Sequence, residues 1–189
     1  SLIIDPQRPI QHGSHRQVTV MFANFYGIDK IIDALGPGNT ETITEILNLH
    51  YTTMSEIITR YGGTVNRLDS YAIGYRILAL FGALRAHEDD PHRAVHAALE
   101  MNRSLEKINQ QTRELLANVP NLEVNFSPRP LKQRIGINSG FVFAGNTGSD
   151  TRREYTVMGE QVNLTARLMS VAGEGEVLIG ESTARRIES

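Results

Sequence analysis

Asn163 and Arg167 stand four apart in the run Tyr155-Thr-Val-Met-Gly-Glu-Gln-Val-Asn-Leu-Thr-Ala-Arg-Leu168. If the residues after Gly159 are helical, that spacing stacks the two side chains one above the other on a single face. A guanidinium can fork onto two oxygens of a phosphate ester, and an amide beside it can orient a sugar. The same pair also suits a solvated helix face. His92 and His96 are again four apart, a spacing used by zinc ligands. Arg93-Ala94-Val95 between them supplies no base, and no third ligand is evident, so no zinc site is expected. Met54, Met101, Met158 and Met169 fall at apolar helical positions or strand ends and are expected to pack.

The elements that would position these groups follow from apolar spacing. After Gly159, Val162, Thr165/Ala166 and Met169 make a helical stripe. Before it, Arg134-Ile-Gly-Ile-Asn-Ser-Gly-Phe-Val-Phe-Ala-Gly145 reads as two short strands turning at Ser139-Gly140, and Arg153–Val157 as another strand. Upstream, residues 1–16 read as an arm or linker and 17–189 as the domain. Gln17–Phe25 is largely apolar and β-rich, which predicts a buried central strand. Tyr26–Gly38 reads as a loop with a helical turn near Lys30–Leu35. Ile43, Ile46, Leu47, Tyr51, Met54, Ile57 and Ile58 predict an amphipathic helix over 40–60, ended by Gly62-Gly63. Thr64–Leu68 and Ile73–Phe81 read as strands. Asp89-Asp90-Pro91 predicts an N-cap carboxylate and a helix to about Ala117, with Val95, Leu99, Leu105 and Ile108 inward. Asn118–Leu131, with three prolines, reads as a loop. Glu176–Ile179 reads as a strand, and a helix starts near Ser182.

The order strand–helix–strand–strand–helix–strand predicts an α/β (α+β) ferredoxin-like sandwich: a mixed, mostly antiparallel sheet with helices on one face. The chain has 189 residues, 40% hydrophobic and 21% charged, which is ordinary globular composition. A net charge of −2 offers no basic field for nucleic acid. There is no cysteine, so disulfides and thiolate metal sites are excluded. The longest apolar run, Ile77–Leu84, is too short to span a bilayer. A first residue of Ser and no signal pattern suggest a piece of a larger protein, with a cytoplasmic setting expected.

Arg134-Ile-Gly-Ile-Asn-Ser-Gly, then Ala-Gly-Asn-x-Gly, then Glu-Tyr-Thr-Val-x-Gly-x-x-Val-Asn-Leu-x-Ala-Arg-Leu, resembles the second half of a class III adenylate/guanylate cyclase catalytic domain. The resemblance implies a cyclase fold that continues for roughly two more strands after Ser189, at ordinary strand lengths, one of them bearing a phosphate-binding lysine. It implies a reaction in which the ribose 3′-oxygen of ATP or a related nucleotide attacks the α-phosphorus and pyrophosphate leaves. Catalysis of that kind is positioning plus electrostatics.

By the same resemblance Asn163 orients the ribose and Arg167 stabilises the phosphoryl group in the transition state. Arg134 contacts phosphate, while its bare alternative is a strand-end charge. Thr156 matches a base-selecting position, or is simply a β-branched strand residue, and Arg67 stands nearest the position of the usual base-selecting lysine. Phe25, Tyr26 and Gly27 offer backbone N–H groups to the triphosphate, or simply turn the chain. Intact members hold Mg2+ or Mn2+ with two aspartates, in motifs like Phe-Ala-Asp-Ile and Gly-Asp-x-x-Met-Ala-x-Phe-Gly. Here those positions carry Asn24, in Phe22-Ala23-Asn24-Phe25, and Tyr75, in Gly74-Tyr75-Arg76-Ile77-Leu78-Ala79-Leu80-Phe81-Gly82. Asn has one neutral oxygen, Tyr is neutral below its pKa of about 10, and Arg76 adds a positive charge. Asp29 and Asp69 occupy no matching position. The expectation is therefore no metal cofactor in this chain and weak nucleotide binding. Family members are implied to dimerise with sites at the interface. Three functions stay open: a dimerising or regulatory pseudo-cyclase impaired as a homodimer, the metal-free half of a heterodimeric adenylate cyclase supplying Asn163 and Arg167, and a weakly active cyclase.

Overall fold

The computed structural model describes residues 13–120, 122, 131–149 and 152–188. Of the expected arm, residues 1–12 lie outside that range, as does most of the 118–131 loop. Strand β1 (Ser14–Tyr26) begins three residues ahead of the expected Gln17. Then come α1 (Ile28–Leu35), a 3-10 turn (Pro37–Asn39), α2 (Thr40–Arg60), β2 (Thr64–Ser70), β3 (Tyr75–Phe81), α3 (Asp90–Ala117), β4 (Lys132–Ser149), β5 (Arg152–Met158), α4 (Glu160–Val171), β6 (Val177–Ile179) and α5 (Glu181–Ile187). The sheet order is β2-β3-β1-β4-β5, all antiparallel, with β6 parallel to β4.

β1 is central because both its faces are apolar. Met21, Ala23 and Phe25 join Ile77, Ala79, Phe81, Ile135 and Ile137 in the core beneath α1, α2 and α3. Val18, Val20 and Phe22 join Leu78, Leu80, Val142, Tyr155 and Val157 in a second core, reached by Met169 of α4. Helices therefore cover both faces, not the one that was expected. A continuous apolar strand needs cover on both sides.

The expected turn at Ser139-Gly140 is absent, and β4 runs straight through it, with Ser139 opposite Thr19 and Gly140 opposite Val18. These small residues serve close packing instead. A Cβ on Gly140 would lie 2.7 Å from Gln161 Cγ, and one on Gly136 2.4 Å from the Met169 backbone nitrogen. The two glycines form the seat of α4, where a strand glycine marks close approach of another backbone. Between them Asn138 donates to Gln161 Oε1 at 2.6 Å, and Ser139 Oγ links Thr19 and Thr183 hydroxyls at 2.8 and 3.0 Å.

α3 also departs from expectation. Asp89 makes no side-chain cap and instead accepts from Arg93 Nε at 2.7 Å. The neighbouring Asp90 accepts the His87 backbone N–H at 2.8 Å. The buried stripe is Ala94, Ala97, Ala98, Met101 and Ile108, whereas Leu99 is exposed. Small alanines set that stripe because α3 packs against α2. Met54, Met101 and Met169 are buried, but Met158, at the end of β5, is exposed.

The outer strands meet across one face. β2 bulges between Val65 and Arg67, and the extra residue, Asn66, is turned inward. Its amide donates to the Tyr155 carbonyl of β5 at 2.8 Å. Tyr155 Oη in turn donates to the Ala83 carbonyl at 3.3 Å. The sheet thus curls until strands at its two ends share a hydrogen bond.

Candidate functional site

The C-terminal end of β1 gathers the first group of expected residues. Asn24 is fully buried, opposite Arg76 on β3 and Arg134 on β4. Its Nδ2 donates to the carbonyls of Ile73 and Tyr75 at 2.8 and 3.0 Å. Its Oδ1 accepts from Arg134 Nε at 3.0 Å. Arg134 also donates to the Ser170 carbonyl of α4 at 3.0 Å and lies 5.7 Å over the Tyr26 ring.

Arg76 shares this face. Its guanidinium sits 4.9 Å from the Phe22 ring centre and 5.0 Å from that of Tyr71, and 3.4 Å from Asp69 Oδ2. Cation–ring contacts and a carboxylate hold the charge in place. Tyr75 is one residue out of phase. It stands opposite Phe25, and its ring packs against the helix-side core. The Asn24 and Tyr75 side chains therefore do not converge. Asp69, one of the acidic residues considered above, is also 3.8 Å from Arg67 Nε. Asp29 is exposed in the first turn of α1. Among the described residues no three His, Cys, Asp or Glu side chains gather as a metal site. His96 is stacked on Tyr61 at 6.4 Å.

Gly27 opens α1 with φ 98°, a conformation glycine adopts freely. No side chain caps that helix, so its first-turn N–H groups are uncommitted to a cap. Phe25 is fixed from behind. His50 of α2 stacks on it at 3.6 Å and 22°. Burial pushes the His50 pKa down to about 3, partly offset by the polar Gln133 side chain. Gln133 is opposite Phe25 on β4 and donates to Asn102 of α3 at 2.8 Å. The sequence reading missed His50, Gln133 and Tyr71. His50 lies three and four residues from Leu47 and Met54, which could have put it on the α2 stripe, but spacing does not tell which ring it meets.

Arg67 is exposed on β2 and Thr156 half-buried on β5, opposite Gly145. They belong to strands at opposite ends of the sheet, yet each adjoins a partner of the Asn66–Tyr155 bond. Asn163 and Arg167 lie together on the exposed side of α4, whose buried side is Thr165 and Met169. Among the described residues neither side chain has a hydrogen-bond or ion-pair partner, Asn24 and Tyr75 included. One chain thus presents two separate polar groups: a knotted one at the end of β1 and an open one on α4.

The sequence family described as "Adenylate and Guanylate cyclase catalytic domain" matches residues 10–189. The guanylyl cyclase Cya2 structure is 34% identical, with a TM-score of 0.77, over 93% of this chain and 80% of that one. The adenylyl cyclase CyaB from P. aeruginosa is 30% identical, with a TM-score of 0.78, over 94% and 83%. The adenylate cyclase of Anabaena cylindrica is 30% identical over 92% of this chain and 31% of its own length. The chain spans 20% to 31% of the length of the curated relatives it matches.

Proposed function

Because the chain belongs to the class III adenylate and guanylate cyclase catalytic-domain family, we propose that it is a dimerising, regulatory cyclase domain whose own homodimer turns over little or no nucleotide. In this reading Asn24 and Tyr75 stand where the family's metal-binding carboxylates would be. Bound divalent ions would activate the 3′-hydroxyl and offset phosphate charge. The residues present do not fit that task. Asn24 spends both polar atoms on protein groups, Tyr75 packs with the core, and Arg76 brings a cation to the same face. Hard divalent ions need oxygen donors, usually carboxylates.

The observation that carries the reading is the direction of the Asn24 hydrogen bonds. An amide N–H points at two carbonyl oxygens, where a ligand would offer a lone pair. What remains for nucleotide is Arg134, Arg167, Asn163 and the N–H groups after Gly27, with Thr156 and Arg67 beside the base. The test is cyclic nucleotide formation from ATP and from GTP with manganese supplied. No product above background is expected. Turnover in the range of an intact cyclase overturns the proposal.

A second reading has its own support, since Asn163 and Arg167 are exposed and have no hydrogen-bond or ion-pair partner for their side chains among the described residues. Such a pair can complete a site on a different cyclase domain. Mixing this chain with a family domain that keeps both carboxylates but lacks its own Asn and Arg tests it. Activity only in the mixture, lost with Arg167→Ala, favours the heterodimer.

A further inference from the structure

The turn between β2 and β3 lies against the end of β1. A Cβ on Gly74, whose φ is +72°, would lie 2.1 Å from the Phe25 carbonyl oxygen and 2.8 Å from Tyr26 Cα. Backbone this close favours internal partners for the polar groups around it. Asn24 supplies them. Nδ2 donates to Ile73 O at 2.8 Å and Tyr75 O at 3.0 Å, and Oδ1 accepts Arg134 Nε at 3.0 Å. A flipped amide would set oxygen against two carbonyls and N–H against a guanidinium, so only one orientation satisfies every group. Arg134 extends the chain of bonds to Ser170 O on α4.

Two carbonyl oxygens converging on one point, beside the side chain of residue 24, form a place for something electropositive. With a carboxylate at residue 24 that something would be a hard cation, which takes backbone carbonyl and carboxylate oxygens alike. We propose that the Asn24 amide is a built-in substitute for a bound cation, latching the 71–74 turn onto β1 with no divalent ion present. The proposal rests on the reading above that residue 24 is not a metal ligand here. It makes Asn and its isostere Asp non-equivalent at this position. In Asn24→Asp one oxygen keeps Arg134, and the other faces two carbonyls with no hydrogen to donate.

Thermal unfolding of the 189-residue chain, in chelator and in magnesium or manganese at matched ionic strength, tests the latch. The wild-type midpoint is expected to be the same in all three. N24D is expected to fall by roughly 5–10 °C in chelator and to regain most of that loss in either metal. A wild type that divalent ions stabilise overturns the latch. So does N24D as stable as wild type in chelator, or N24D whose loss no metal restores. If N24D does not fold, wild-type amide exchange across 71–75 decides instead. Equal protection with and without divalent ions supports the latch, and faster exchange in chelator overturns it. Turnover is scored separately. An inactive wild type that divalent ions stabilise sinks the latch and leaves the regulatory reading standing. An active one with no divalent effect on the turn does the reverse.

Discussion

At the scale of single residues, the site is built from groups that satisfy one another. Asn24 and Arg134 are 110 positions apart and bond only because β1 and β4 place them opposite. Each was legible as a motif position, but the bond was not, since strand register between distant segments leaves no local trace. Tyr75 shows the same limit: its motif was plain, whereas the face its ring takes depends on the pairing with β1. His50 gives a residue-scale prediction. Unfolded, it takes a proton below its ordinary pKa of 6.5; folded, it resists until about pH 3. The unfolded state therefore binds more protons in that window. Its contribution to stability is fully present above pH 6.5 and is lost as pH falls towards 3, by at most ~1.4 kcal/mol per unit. His50→Phe keeps a ring on Phe25 and should flatten the slope. Urea midpoints for both chains at neutral pH and near pH 5 check it.

At the scale of elements, apolar spacing located nearly all the helices and strands, because amphipathic periodicity is a local property. It failed where a glycine has two meanings. Gly140 reads as a turn by composition and serves as a seat for α4 in the fold. Only the partner helix distinguishes the two. Gly136→Ala should therefore push α4 outward, since its Cβ would lie 2.4 and 2.5 Å from helix backbone atoms. Overpacking of this kind costs about 1–3 kcal/mol. Chemical denaturation would show the loss. In the heterodimer mixture the same change should lower turnover, because Asn163 and Arg167 ride on that helix. Unchanged stability would mean α4 is not seated there.

At the scale of the whole molecule, the regulatory reading needs assembly and a tolerable fit for nucleotide. Phe141 is 67% exposed on β4, and the regulatory reading puts this exposed stretch of β4 at the dimer interface. Phe141→Asp should shift sedimentation towards monomer, and an unchanged profile would remove that stretch from the interface. ATP affinity is expected at high micromolar to millimolar, about 4–6 kcal/mol, and independent of magnesium; calorimetry with and without a chelator checks this. The bond from Asn66 to Tyr155 bears on something else, the order in which the chain assembles. It closes a separation of 89 positions between strands at opposite ends of the sheet. Closing so long a loop costs entropy before any contact repays it. The bond from Asn66 can form only once β3, β1, β4 and β5 are side by side. That bond should be among the last events of folding and the first of unfolding. Asn66→Ala should then speed unfolding while leaving the folding rate nearly untouched, and stopped-flow kinetics in urea would show which arm moves.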